Sequence, residues 1–109
     1  MAKHKFYISG LEQDLLSLLK NNNGFYGLEI LKLINEARLK HKVKILTRGS
    51  LYPTLERMEN QGLIASVKSK QEKTPSRRYY TISSHGLSSL ILVEEYRKRL
   101  SAWRSSDET

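Results

Sequence analysis

Hydrophobic and polar positions along this chain repeat with helical period in four segments and with strand character in two. Ser9 and Glu12 stand three apart as a capping box, Ser at the N-cap and Glu at N3. They predict a first helix from about Gly10 to Lys20, with Leu11, Leu15, Leu18 and Leu19 inward. The run from Asn21 to Gly24 ends it in a turn. A second helix is predicted over about Gly27 to Lys40, with Ile30, Leu33, Ile34 and Ala37 facing the core. His41 to Leu46 alternates polar and apolar. It suits a short strand or extended link, with Val43 and Ile45 on one side.

The stretch Leu46 to Ile64, LTRGSLYPTLERMENQGLI, carries both a start and a stop signal for a helix. Thr47 can cap its first turn, and Gly62 stands where a left-handed C-cap would need it. Leu51, Leu55 and Met58 make one apolar stripe. Gly49, Ser50, Pro53, Glu56, Arg57 and Asn60 occupy the opposite face. Pro53 conflicts with this reading, because a proline removes an i→i−4 hydrogen bond and crowds the turn before it. Local rules alone open the helix at Pro53, as N1.

Leu63 to Lys68 and Arg77 to Ile82 read as two strands rich in β-branched and aromatic residues. The polar run Ser69 to Ser76 joins them as a β-hairpin. Tyr79 and Tyr80 alternate faces, so one packs inward and one faces out. Ser83 caps a last helix running to about Arg104, and Ser101 to Thr109 reads as a frayed end. At about 100° per residue that helix carries two apolar stripes. Leu87, Leu90 and Ile91 form one, suited to the chain's own domain. Leu92, Val93, Tyr96, Leu100 and Trp103 form the other, which faces away and invites a second copy. The alternative is that this longer stripe folds back onto the first helix.

Several of these residues together resemble a known family. Ser50, Leu51, Tyr52, Pro53, Leu55, Arg57, Gly62, Leu63, Ile64, Arg78, Tyr79, Tyr80, Ser83 and Gly86 follow the order and spacing of the PadR family of transcriptional regulators. Phe25, Tyr26 and Gly27 are similar to that family's Tyr-Gly helix start, and the match spans roughly Leu15 to Leu100. The resemblance implies a mainly α fold with a small β-hairpin wing. A winged helix-turn-helix would occupy residues 1–83, and a C-terminal dimerisation helix and frayed tail 84–109. It also implies a DNA-binding helix continuous from about Arg48, with an irregular first turn from Arg48 to Tyr52. Repressor function is usual in the family.

Composition narrows the chemistry. A chain of 109 residues, 39% hydrophobic and 28% charged, fits one globular domain with a modest core. Without cysteine it has no disulfide, no thiolate metal site and no Cys nucleophile. His4, His41 and His85 are scattered, and no phosphate loop, carboxylate pair or nucleophile elbow is visible, so we expect neither an enzyme nor a cofactor or metal. No apolar run is long enough to span a membrane, and the N-terminus lacks a signal-peptide core, so a cytoplasmic protein is expected. A net charge of +8 and a pI near 9.8 favour a polyanionic partner. The charge is concentrated. Lys68, Lys70, Lys73, Arg77 and Arg78 lie on the hairpin against Glu72 alone.

The function expected is a sequence-specific regulator binding double-stranded DNA as a homodimer on a palindromic operator. Ser50, Tyr52 and Arg57 are candidates near base edges or adjacent phosphates, Arg48 for phosphate, and the hairpin cations for backbone phosphates. Flank packing is the competing role for Tyr52. Some small members of the family resembled hold flat aromatic compounds between subunits, against a tryptophan of the last helix. That position here is Arg97, so a small-molecule effector at the dimer interface would meet Tyr96 and Trp103 instead. The main alternative is a small basic RNA-binding or ribosome-associated protein, which would need exposed aromatics for base stacking. A third is a protein-interaction domain of the same fold, which would want a neutral or acidic wing.

Overall fold

The computed structural model describes residues 8–68 and 78–103. In order they form α1 (Gly10–Lys20), β1 (Phe25–Tyr26), α2 (Gly27–Lys40), α3 (Arg48–Asn60), β2 (Ile64–Lys68), β3 (Arg78–Ile82) and α4 (Ser84–Ala102). The architecture is mainly helical with a small antiparallel sheet of order β1-β3-β2.

Each helix start is fixed by local chemistry. At α1 the Ser9 hydroxyl accepts from Glu12 N–H (3.2 Å), and Ser9 N–H donates to Glu12 Oε1 (2.8 Å), completing the expected capping box. Tyr26 N–H donates to Glu29 Oε1 (2.8 Å) at the start of α2. Thr47 Oγ1 accepts from Ser50 N–H (3.2 Å) at α3. The helix then runs unbroken through Pro53, as the family pattern required and local rules did not. The irregularity expected in its first turn amounts to the Thr47 carbonyl accepting from both Ser50 and Leu51. Proline's missing N–H leaves the Gly49 carbonyl without its usual partner. Both residues lie on the exposed side, where water can serve that carbonyl.

The two helix ends that shape the fold are Schellman closures. After α3, Gly62 N–H donates to Glu59 O and Leu63 N–H to Met58 O, with Gly62 at φ +80. After α2 the same pattern joins Lys42 to Leu39 and Val43 to Arg38, but the left-handed residue is Lys42, at φ 60. The link from His41 to Leu46 is therefore not a strand. The Asn35 side chain takes the place of a partner strand, accepting from Leu46 N–H (2.7 Å) and donating to Leu46 O (2.9 Å). Val43 and Ile45 remain about half exposed.

The core joins all layers. Leu15, Leu16 and Leu19 of α1, Ile30 and Ile34 of α2, and Leu51, Leu55 and Met58 of α3 meet Ile64 and Tyr80 of the sheet and Leu90 of α4. Ile8, Leu46 and Leu63 complete it. Leu16 and Ile8 were not expected inside, and Ala37 is exposed rather than buried. Phe25 and Tyr26 read in sequence only as a lead into α2. They pair with Tyr80 and Tyr79 as a third strand. The β2–β3 register sets Ile64 against Ile82 and Lys68 against Arg78.

α4 docks by small residues. Gly86 and Ser89 are buried beside Leu90, and a Cβ on Gly86 would overlap the Leu63 carbonyl. Ser83 completes the joint: its hydroxyl accepts from Gly86 N–H (2.9 Å) and donates to Gly62 O (2.5 Å). Gly86→Ala should therefore cost about 1–3 kcal/mol or more, because backbone must move to admit the methyl. Gly10→Ala, at a position with nothing nearby, should be neutral or slightly stabilising. Urea midpoints of the two variants against the parent check this. Equal stability of all three would show that the close approach is absent.

Candidate nucleic-acid interface

α3 sets the geometry of the site. Leu51, Thr54, Leu55 and Met58 bury one side of it, and Thr54 Oγ1 caps its own polarity by donating to Ser50 O (2.8 Å). Gly49, Pro53, Glu56 and Asn60 lie on the opposite side, all exposed. At about 100° per residue, Ser50 and Arg57 flank this outward strip on one side. Arg48, Tyr52 and Glu59 flank it on the other. Glu56 and Asn60 were not among the sequence candidates, yet they sit on the most outward line of the helix. An asparagine amide and a carboxylate there are groups suited to adenine and to the cytosine amino group. Placement on the helical wheel, rather than positive charge, is the signal that finds them.

The Ser50–Arg57 flank leans on α1. Arg57 Nε and Nη2 each donate to Glu12 Oε2 at 3.3 Å. The Ser50 hydroxyl accepts from Thr47 Oγ1 at 3.3 Å.

The other flank faces the sheet across a cleft of about 500 Å³ lined by Tyr52, Pro53, Glu56, Glu59, Asn60, Arg78 and Tyr80. Tyr52 packs against the core, and its buried hydroxyl has no hydrogen-bond partner among the described residues. Burial raises its phenol above the ordinary value, with Arg48 pulling the other way. Burial also raises Tyr80, opposed by Arg78 and reinforced by Glu59. Arg78 Nη1 donates to Ser66 Oγ (3.0 Å), and Ser66 Oγ in turn donates to Glu59 (2.9 Å).

The hairpin changes character along its length. On its inner face Ile64, Ile82 and Tyr80 pack toward the core, and the same face ends in Lys68 and Arg78, set directly across from one another. Two cations opposite each other repel, and an anion between them would relieve that repulsion. Lys70, Lys73 and Arg77 lie outside the described residues. Tyr80 is the inward member of the tyrosine pair. Tyr79 lies on the outer face edge-on to Tyr26, with ring centroids 5.1 Å apart.

The last helix departs from the two-stripe reading. Its docking face is Gly86, Ser89, Leu90 and Val93, midway between the two expected stripes. Val93, assigned to the partner stripe, packs on its own domain, while Leu87 and Ile91, assigned to the domain, are exposed. Bulk misled the reading, because the closest approach is made by Gly86, with Ser89 buried on the same face. Leu92, Tyr96, Leu100 and Trp103 remain exposed, at 43%, 60%, 53% and 73%. The helix ends at Ala102, with Trp103 as its C-cap.

An exposed helix set beside a hairpin whose inner face turns basic, over a three-helix core, defines the winged helix-turn-helix class of DNA-binding domain. A sequence model of the PadR-like family of transcriptional regulators matches residues 15–91, and the chain belongs to that family. A PadR-like transcription factor from Bacteroides fragilis is 32% identical, with 84% of this chain and 82% of that one aligned at a TM-score of 0.68. A PadR family regulator from Eggerthella lenta is 29% identical (84% and 74% covered, TM-score 0.65). One from Clostridium difficile, 23% identical, shares the fold (85% and 92% covered, TM-score 0.66). No curated protein sequence matches the chain. The protein is thus a DNA-binding transcriptional regulator of a non-enzymatic family. No helix among the described residues is long and apolar enough to cross a membrane.

Tyr52 gives a direct test of the flank. Tyr52→Phe deletes a hydroxyl buried without a partner, so stability should hold or rise by about 1 kcal/mol. The parent should also lose stability above about pH 10, where unfolding releases a phenol whose folded pKa is raised. Below that pH the phenol is protonated in both states and contributes no pH dependence. Chemical denaturation at pH 7 and pH 10.5 reads both effects. A destabilised Phe variant would show that the hydroxyl is hydrogen-bonded after all.

Proposed function

We propose that the protein is a repressor that binds a palindromic operator as a homodimer in the cytoplasm. Residues 1–83 would contact DNA and residues 84–109 would hold the two copies together. The observation that carries this reading is the continuity of two surfaces: the outward strip of α3, and the basic end of the hairpin beside it. α3 enters the major groove, with Ser50, Arg57, Glu56 and Asn60 toward base edges. Arg48 and the hairpin cations Lys68, Lys70, Lys73, Arg77 and Arg78 hold phosphates. Tyr52 supports the helix from its flank rather than reading a base. Repression follows from occupancy of the operator.

The dimer is supported by Leu92, Tyr96, Leu100 and Trp103, large side chains exposed along α4. Each large apolar side chain buried there contributes about 1.5–3 kcal/mol against the cost of association. Val93 contributes to placing the helix rather than to the partner surface. A small apolar or aromatic effector between the subunits would meet Tyr96 and Trp103 and shift the half-site separation. The RNA-binding alternative would want free aromatic faces on the sheet, and there Tyr79 is engaged edge-to-face with Tyr26.

Selection of bound sequences from a random duplex library tests the whole reading. The expected result is a palindromic consensus with half-sites about 34 Å apart. A preference for structured RNA over every duplex would overturn it. On the selected site, Arg57→Ala or Ser50→Ala should cost about 1–3 kcal/mol more than on random DNA. Replacing Lys70, Lys73, Arg77 and Arg78 by Ala should weaken all duplexes alike and lower the salt slope by about one unit per charge. Sedimentation of Leu100→Glu should show a monomer where the parent is a dimer. A parent that is monomeric at micromolar concentration would remove the dimer from the proposal.

A further inference from the structure

Arg57 belongs to the strip expected to meet DNA, yet it is already paired with a carboxylate from another helix. Its Nε and Nη2 each lie 3.3 Å from Glu12 Oε2. The Glu12 side chain is 8% exposed and that of Arg57 51%. Glu12 cannot swing away, because its other oxygen accepts from Ser9 N–H (2.8 Å) in the cap of α1. Of the donors a guanidinium carries, the pair therefore leaves both hydrogens of Nη1 and one of Nη2 uncommitted.

Two consequences follow. The fork is held in place before any partner arrives, so little rotamer freedom remains to be lost on contact. Its charge is also compensated by a fixed carboxylate. A compensated cation draws phosphate weakly, since counterion release scales with net charge neutralised. Its directional donors are unaffected, and these are what a base edge needs. A phosphate anchor would be better made by a flexible, uncompensated Lys or Arg.

We propose that Glu12 is a positioning residue for DNA recognition. By pairing with Arg57 it makes that arginine a directional reader of a base edge with paired acceptors, of the guanine O6/N7 kind, and suppresses its sequence-independent pull on phosphate. This inference rests on the DNA-binding reading above. It assigns a role in specificity to a residue of α1 that lies outside the recognition helix.

The test uses Glu12→Gln in the full chain. Glutamine at N3 preserves the capping box, and a urea midpoint verifies that the fold is kept. Affinities for the selected duplex and for a scrambled duplex are measured across a salt series. Glu12→Gln should bind scrambled DNA more tightly, with a salt slope steeper by about one unit. Its selected-to-scrambled ratio should fall by about tenfold, within the range a bidentate base contact supplies. In an Arg57→Ala background the same substitution should leave the ratio unchanged. Arg57→Lys is the second variant. It keeps the charge pair but loses the fork, so the ratio should fall with no change in slope. A purely structural tie between α1 and α3 would move the urea midpoint and leave slope and ratio as in the parent, which would overturn the proposal. A parent without preference for any duplex would instead remove the DNA reading and this inference with it.

Discussion

The close approach of α4 to the turn after α3 is the constraint on which the other elements depend. Leu63 is used several times over at that point. Its N–H closes the Schellman motif of α3, its carbonyl accepts from Ser83 N–H (3.1 Å), and that same carbonyl faces Gly86 with no room for a side chain. Ser83 then links Gly62 to the first turn of α4. The end of the recognition helix, both ends of the hairpin and the start of the last helix are thereby one joint. Because the joint is backbone against backbone, it fixes direction as well as distance, and α4 runs on beside α1, where Lys20 Nζ lies 3.1 Å from Glu94 Oε2. The exposure of Tyr96, Leu100 and Trp103 follows from that direction.

The same economy governs α3. A helix holding Gly49 and Pro53 has poor intrinsic propensity, costing about 1 and 3 kcal/mol at interior positions relative to alanine. Burial of Leu51, Leu55 and Met58 offsets this, each fully inside the core. Both weak positions fall on the outward side, on the first half of the helix, ahead of Glu56 and Asn60. A helix optimised for its own stability would carry long side chains there and stand further from a groove. The sequence conflict at Pro53 thus falls on the surface proposed to meet DNA, where a local rule gives way at a candidate functional site.

Much of this was legible in the chain, for identifiable reasons. The helices α1 and α2 announce themselves through Ser9, Glu12 and the regular spacing of Leu15, Leu19, Ile30 and Ile34, since capping and amphipathic period are local properties. Gly62 announced the end of α3 for the same reason. What was not legible was non-local. β1 is too short to read as a strand and exists only because Tyr79 and Tyr80 lie across from it. The link after α2 is held by Asn35, eleven residues from Leu46, and its turn is closed by Lys42 where a glycine would have signalled it. The docking face of α4 was misplaced because large apolar residues draw attention, whereas Gly86 brings the backbones together and Ser89 is buried beside it. On the candidate interface, the outward face of α3 was readable from period alone. The Glu12–Arg57 pair, between residues forty-five apart, was not.

The electrostatics of the candidate interface are graded rather than uniformly positive, although the chain carries +8 overall. Along the outward strip and its cleft, Glu56 and Glu59 stand beside Arg78, and Glu12 compensates Arg57. Cations without a carboxylate partner among the described residues lie at the edges: Arg48 at the start of α3, and Lys68 at the end of β2. A polyanion is attracted most strongly by the rim, while the centre offers directional groups in near-neutral surroundings. That division suits a protein that must hold any duplex loosely and one sequence tightly. In the DNA-binding reading proposed above, rim charge would supply the salt-dependent association common to all sites. A strongly positive centre would add to that shared term and dilute the difference between right and wrong base pairs. Carboxylates within a DNA-facing surface are therefore not a defect of a basic protein. In that reading they would lower the affinity shared by all sequences, leaving recognition to rest on hydrogen-bond geometry.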